Sequence, residues 1–151
     1  MAQAKPFNLK NQQDLPVSLD DYAGSFLVLY FYPKDNTPGC TTEAKEFSAL
    51  KSEFEKYNCK ILGISKDTIK KHQNFIEKQG LTIDLLSDPE NEVIDAYGAW
   101  QLKKNYGKEY MGIVRSTYLI NPEGEIIQEW PKVRVKGHVD AVLEAVKEAQ
   151  A

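Results

Sequence analysis

Apolar and polar residues fall in blocks along the chain, and the blocks differ in period. Phe26 to Tyr32 (FLVLYFY) is an unbroken apolar and aromatic run, as expected of a strand buried on both faces. Thr41 to Tyr57 reads as a helix. Ala44, Phe47, Leu50, Phe54 and Tyr57 recur at helical spacing, and charged residues fill the other face. Lys60 to Ser65 is a second buried strand. Asp67 or Thr68 is placed to cap a helix that runs to Gln79, and Gly80 stops it. Leu81 to Leu86 is expected to hold a short strand and Glu92 to Ala99 a short helix. Ser116 to Ile120 and Glu125 to Trp130 flank the turn Asn121-Pro122-Glu123-Gly124, which predicts a hairpin. A last helix follows His138, with Val139, Val142, Leu143 and Val146 on one face. Near the start, Phe7 to Leu9 and Pro16 to Leu19 are expected as short strands around the polar turn Asn11 to Asp14.

The resulting order is β-β-β-α-β-α-β-α-β-β-α. Alternating elements predict a layered α/β domain, with helices on both faces of a central sheet. The hairpin adds antiparallel strands, so the sheet is expected to be mixed. A thioredoxin-like topology fits this order, and so do other three-layer α/β folds. With 151 residues and no internal repeat or linker, a single domain over 1–151 is expected.

Charge narrows the function classes. The formal net charge is −3 with both signs mixed, so no basic stripe points to nucleic acid. The longest apolar run is far too short to cross a bilayer. The N-terminal MAQAKPFNLK has no apolar stretch of the kind that secretion requires. A cytoplasmic location, where thiols stay reduced, is the expectation. The two cysteines form no C-x-x-C, and His72 and His138 lie far apart in sequence. Metal dependence is therefore not expected.

The chemistry concentrates in Tyr30 to Glu46, YFYPKDNTPGCTTEAKE. Cys40 stands at the junction of a loop and a helix, directly after a buried strand. The first turn of a helix offers free N–H groups and a partial positive charge, and both favour a thiolate. A thiolate is the form that attacks peroxide. From position alone, a small buried apolar cysteine is an equal reading. Neighbours shift the balance. Thr37, three residues before Cys40, offers a hydroxyl to a bound peroxide. Pro33, seven before, is placed to shield the sulfur from water. Glu43, one turn after, is placed to orient a cation. Arg115 is the candidate cation, since its planar, permanently charged fork suits a thiolate and a peroxide oxygen. Arg115 and Arg134 are the only arginines among 19 Lys and Arg. Each residue also has an ordinary reading, as turn former, first-turn acid or surface charge.

Pro33-Lys-Asp-Asn-Thr37-Pro-Gly-Cys40 resembles the P-x-x-x-T-x-x-C signature of peroxiredoxins. Further stretches, Gly63 to Phe75, Leu85 to Trp100, Tyr106 to Ile120 and Val135 to Lys147, are similar to the bacterioferritin comigratory protein, or Q-type, subfamily. They cover nearly the whole chain in order. The resemblance implies a thioredoxin-like fold and a peroxidase without metal or organic cofactor. It implies Cys40 as the peroxidatic residue, with Thr37 and Arg115 holding the peroxide. It implies Pro33 as a shield and Glu43 as the residue that positions Arg115. It also implies a hydroperoxide substrate, an external thiol reductant such as thioredoxin or glutaredoxin with glutathione, and a monomer or weak homodimer.

The chain departs from that subfamily at the resolving cysteine. Five residues after Cys40 stands Lys45, and the helix from Thr68 to Gln79 holds no cysteine. Cys59 remains. The predicted helix between Cys40 and Cys59 spans roughly 25 Å, whereas a disulfide needs Cα atoms within about 7 Å. A one-cysteine route is therefore expected, with Cys59 as a packing residue. His72 shares a face with Ile69 and Ile76 and reads as a packed, hydrogen-bonded histidine, and His138 reads as structural. Trp100, Tyr106 and Tyr110 fit either a substrate mouth or ordinary packing. Two other functions compete. Disulfide exchange wants a cysteine where Thr37 stands, and a non-catalytic binding protein would make the motif idle.

Overall fold

The computed structural model describes residues 2–151. Its strands are β1 (Ala2–Gln3), β2 (Asn8–Asn11), β3 (Pro16–Ser18), β4 (Phe26–Phe31), β5 (Cys59–Ser65), β6 (Asp84–Ser87), β7 (Trp100–Asn105), β8 (Lys108–Ile113), β9 (Ser116–Ile120) and β10 (Glu125–Trp130). The helices are α1 (Pro38–Lys56), α2 (Ile69–Gln79), α3 (Glu92–Ala96) and α4 (His138–Ala149). Among the described residues the strands make one eight-stranded sheet, in the order β1-β10-β9-β4-β5-β6-β2-β3, and a separate β7–β8 hairpin. The pairs β4–β5 and β5–β6 are parallel, while β9, β10 and β2 join antiparallel. This is the mixed sheet and thioredoxin-like α/β architecture that the element order predicts.

Strand β4 sits at the centre, paired with β5 on one side and β9 on the other. Its side chains alternate between two cores. Val28, Tyr30 and Tyr32 meet α1, α2 and α4, packing with Phe47, Phe54, Phe75, Val142 and Val146. Leu27, Leu29 and Phe31 face the other way, toward Phe7 just before β2, Val17 of β3, Ile94 of α3 and Tyr97 just after it. Every residue from Leu27 to Tyr32 is at most 1% exposed, so the strand that leads into the Cys40 loop cannot shift without disturbing both cores.

Three differences from the sequence reading have local causes. Helix α1 begins at Pro38, with Thr37 as its N-cap, not at Thr41. Proline at the first helical position loses no hydrogen bond, so the Pro-Gly pair opens the helix instead of ending the loop. Helix α3 stops at Ala96, and β6 starts only at Asp84. The β7–β8 hairpin, absent from the reading, turns at Tyr106 and Gly107 with φ of 51° and 78°. Both turn residues are left-handed, the geometry usually signalled by Asn-Gly, and a tyrosine in the first place hides it.

One close approach controls the α1 side of the sheet. A Cβ built on Gly63 in β5 would lie 2.8 Å from the Tyr30 ring and 2.9 Å from Leu85 Cδ2. Both neighbours are buried and cannot swing aside. Gly63→Ala is therefore expected to cost roughly 1–3 kcal/mol, read as a lower urea midpoint. An unchanged midpoint would show that the ring has room to move.

Candidate active site

Cys40 occupies the third position of α1, in the turn whose N–H groups have no helical partner. Its side chain is 2% exposed. Glu43 follows on the same face one turn later and is fully buried. Arg115, just before β9, reaches across both. Its Nη2 donates to Cys40 Sγ at 3.2 Å and its Nη1 donates to Glu43 Oε1 at 2.6 Å. Gly39 makes this possible, because a Cβ there would come within 3.2 Å of Arg115 Nη2. Val133 N–H donates to the Arg115 carbonyl and ties the arginine's backbone to the segment after β10.

Thr37 closes the loop side. Its hydroxyl donates to the Lys34 carbonyl at 2.8 Å, and its own carbonyl accepts from Thr41 N–H. The hydroxyl's donor is thus spent inside the loop, which leaves its lone pairs to accept from an incoming O–H. Pro33 is half-buried and lines, with Arg115, an open groove of about 730 Å³. The structure brings all five residues picked from the sequence into one place.

The charges are unevenly buried. Burial pushes the Glu43 carboxyl up to about 7, against the pull of Arg115. Its second oxygen, Oε2, has no hydrogen-bond partner. Burial also works against the Arg115 charge, but Glu43 and Cys40 outweigh it and hold the guanidinium above its ordinary value. His138, whose Nε2 lies 2.8 Å from Thr117 Oγ1, is held down to about 4 by burial and then by Arg115. It therefore stays neutral and adds no second cation.

Residues 1–129 match the model of the AhpC/TSA family. The chain is 50% identical over 142 residues to Peroxiredoxin Bcp of Xanthomonas campestris pv. campestris, covering 89% of each chain. This chain is a peroxiredoxin of the AhpC/TSA family. Peroxiredoxin Bcp of Bacillus subtilis is 49% identical over 145 residues, covering 96% of this chain and 92% of the relative. Among solved structures, a bacterioferritin comigratory protein from Xanthomonas campestris superposes with a TM-score of 0.93 at 43% identity, with full coverage of both chains. That relative has alkyl peroxide reduction activity and has been captured in trapped intermediate/ligand complexes. Xanthomonas campestris Peroxiredoxin Q gives 0.90 at 48% identity, over 94% of this chain and 90% of that one. The chain is accordingly a thiol peroxidase, and the disulfide-exchange and idle-motif readings fall away.

Cys59 matches its reading as a packing residue and is 1% exposed, while other parts of this peroxiredoxin lie where sequence reasoning did not put them. Cys59 opens β5 opposite Phe26, the first residue of β4, whereas Cys40 follows the last residue of β4. The two cysteines thus stand at opposite ends of the central strands. Burial pushes the Cys59 thiol up to about 12. Of the three aromatics considered for a substrate mouth, Tyr106 is 99% exposed at the hairpin tip and Trp100 lies under the Lys66 ammonium. The groove beside Arg115 is instead lined by a mixed set, with Leu102, Val114, Pro131 and Val133 beside Lys103, Lys104 and Lys132. The reading that no metal ligands cluster needs correction, because Asp35, Asp67 and His72 meet within 4.8 Å. They are spread over 38 positions of sequence and come together only through the fold. Both Asp35 oxygens, both His72 ring nitrogens and Asp67 Oδ2 are already engaged in hydrogen bonds within the protein. Their chemistry is that of a hydrogen-bond network.

Glu43 makes stability depend on pH in a defined direction. Its folded value of about 7 lies above its ordinary 4.5, so folding favours the protonated carboxyl. That contribution is complete below about 4.5 and is lost as pH rises through about 7. Glu43→Gln removes it. Between these limits the native chain is expected to lose on the order of 2–3 kcal/mol more than the variant, measured by urea unfolding at acidic and mildly alkaline pH. Parallel pH profiles would show that Glu43 remains ionised throughout.

Proposed function

We propose that Cys40 is the peroxidatic residue and that this chain reduces hydrogen peroxide and organic hydroperoxides by a one-cysteine route. The observation that carries this is the Arg115 bridge, which ties the Cys40 sulfur to a buried acid. The Xanthomonas relative's alkyl peroxide reduction supports the substrate class. So does the groove that opens on Arg115 and Pro33, where Leu102, Val114, Pro131 and Val133 offer apolar contact between Lys103, Lys104 and Lys132.

The thiolate of Cys40 attacks the terminal oxygen of the hydroperoxide in line with the O–O bond. An S–O bond forms, the O–O bond breaks, and sulfur gives up two electrons. The departing alkoxide or hydroxide takes up a proton and leaves as alcohol or water. Cys40 becomes a sulfenic acid. Arg115 stabilises the negative charge as it passes from sulfur to the departing oxygen. Thr37 accepts the peroxide's O–H and sets its angle of approach. Pro33 limits water at the sulfur, and Glu43 keeps the guanidinium in register with Cys40.

Resolution then falls to an external thiol, such as thioredoxin, or glutaredoxin with glutathione. It attacks the sulfenic acid, expels water and leaves a mixed disulfide, which a second thiol opens. The opposite placement of Cys59 and its elevated thiol support an outside resolver. A compartment with reduced thiols, the cytoplasm, suits this cycle. No described helix is long and apolar enough to cross a membrane. The five site residues come from one chain of 1–151 acting as one domain, as a monomer or weak homodimer would need.

Two measurements test the reading. Intact mass after one equivalent of hydrogen peroxide, with a sulfenic-acid trap, should show one adduct on Cys40 with Cys59 still free. A Cys40–Cys59 disulfide would overturn the one-cysteine route, and an unmodified Cys40 would overturn its peroxidatic role. Separately, Arg115→Met should slow Cys40 oxidation by roughly 10²–10³-fold, the usual scale for removing one charge-stabilising donor. An unchanged rate constant would take Arg115 out of the mechanism.

A further inference from the structure

The loop that presents Thr37 and Cys40 hangs from a single buried side chain. Between Tyr32 and Cys40 only Asp35 is buried, while Lys34, Asn36 and Pro38 are exposed and Pro33, Thr37 and Gly39 are intermediate. Asp35 lies midway between Pro33 and Thr37, next to Asn36, whose φ is 63°. Asn tolerates the left-handed region and lets the loop turn here, and the buried Asp35 side chain beside it fixes where the turn sits.

The anchor is fully bonded. Tyr32 Oη donates to Asp35 Oδ1 at 2.5 Å, and Asp35 Oδ2 meets His72 Nδ1 at 2.7 Å. The Asp35 backbone N–H donates to Asp67 Oδ2 at 2.8 Å, and Ser65 Oγ donates to the same oxygen. His72, on α2 and 0% exposed, has its Nε2 3.0 Å from the Leu86 carbonyl of β6. A carbonyl only accepts, so Nε2 carries a proton and donates it. One further proton lies between Nδ1 and Asp35. The imidazole is thus a strut. One end is fixed to the sheet at β6 and the other grips the active-site loop. Burying a carboxylate and an imidazole is costly unless each is fully paired, and neither touches the reacting atoms.

We propose that His72 is a positioning residue for the peroxidase reaction, acting through Asp35 to hold Pro33 to Thr37 in the shape that aligns the peroxide with Cys40. This deepens the proposed function and rests on Cys40 being the peroxidatic residue. The His72–Asp35 bond is the one that matters. The bond from Nε2 to Leu86 serves only to fix the strut's far end.

Two amide substitutions separate these bonds. The amide nitrogen of His72→Asn falls near the place of Nδ1 and keeps the bond to Asp35. That of His72→Gln reaches toward the place of Nε2 and keeps the bond to Leu86. For each variant, the second-order rate of sulfenic acid formation on Cys40 with hydrogen peroxide is measured. The rate of Cys40 alkylation by iodoacetamide and the thermal midpoint are measured alongside. H72Q is expected to lower the peroxide rate by at least about tenfold, the scale for a reacting group misplaced by a fraction of an ångström to one ångström. It is expected to raise alkylation, because a released loop uncovers the sulfur. H72N should recover the peroxide rate to within about threefold of the native chain. Tyr32→Phe, which removes the other bond to the Asp35 carboxylate, should shift both reactions in the H72Q direction and serves if H72Q does not fold. Equal peroxide rates in H72N and H72Q, or a lower melting point with both reactions unchanged, would overturn the inference. A native chain that forms no sulfenic acid on Cys40 would instead overturn the peroxidase assignment, and the inference with it.

Discussion

The structure depends on one guanidinium, that of Arg115, shared between a sulfur and a buried carboxylate. Cys40 and Glu43 lie one turn apart on the same face of α1, so a single planar fork spans both. Without Glu43 the arginine has no fixed orientation over the sulfur. Without Arg115 the Glu43 carboxyl would be buried with no partner for either oxygen, since Oε2 has none even now. The sharing also explains Gly39, where an added Cβ would press on the guanidinium at 3.2 Å.

Holding such a charge at the edge of a core favours neighbours that are neutral or rigid. Burial and then the nearby Glu43 and Cys40 push the Tyr30 phenol well above its ordinary value, so it stays un-ionised. Burial also keeps His138 neutral, reinforced by the charge of Arg115, between Thr117 and the edge of Phe47. The aromatic stack of Tyr30 on Phe47, 4.8 Å between centroids, fixes the floor beneath Cys40. Strand β4 then carries that floor straight into the loop. The site is therefore rigid from below, by packing, and tethered from the side, by the hydrogen bonds of Asp35.

What the sequence made legible follows from distance along the chain. Pro33, Thr37, Cys40 and Glu43 lie within 11 consecutive residues, and a strand-loop-helix reading alone places them together. Arg115 stands 75 positions beyond Cys40. Only its rarity and a family resemblance pointed to it, because no local pattern tells which cation folds back. Asp35 and His72 were harder. Asp35 reads as an ordinary turn residue and His72 as part of a helix face. Their bond needs the parallel β4–β5–β6 register, which brings α2 over the loop. The β7–β8 hairpin escaped because most of its residues are exposed, so neither alternation nor an apolar run marks it. The sheet core was easy to read by contrast, since burial on both faces writes itself as an unbroken apolar run.

A thiol only 2% exposed has to be reached by a reductant from outside, and the chain arranges its strengths accordingly. The first turn of α1 is its weakest part. Pro38 donates no hydrogen bond, Gly39 is a poor helix former, and the N-cap Thr37 spends its hydroxyl on Lys34 instead of on the helix. Strength begins at Glu43, Ala44 and Phe47, all buried. The Arg115 pair grips α1 at this boundary, so the sulfur lies on the weak side and its positioning partner on the strong side. The Asp35 network steadies the weak side from the loop end. Cys40 thus rests on the packed aromatic floor and is held from above by the Arg115 bond and the tethered loop. That arrangement suits a residue that must be fixed while it meets peroxide and open to a second thiol afterwards.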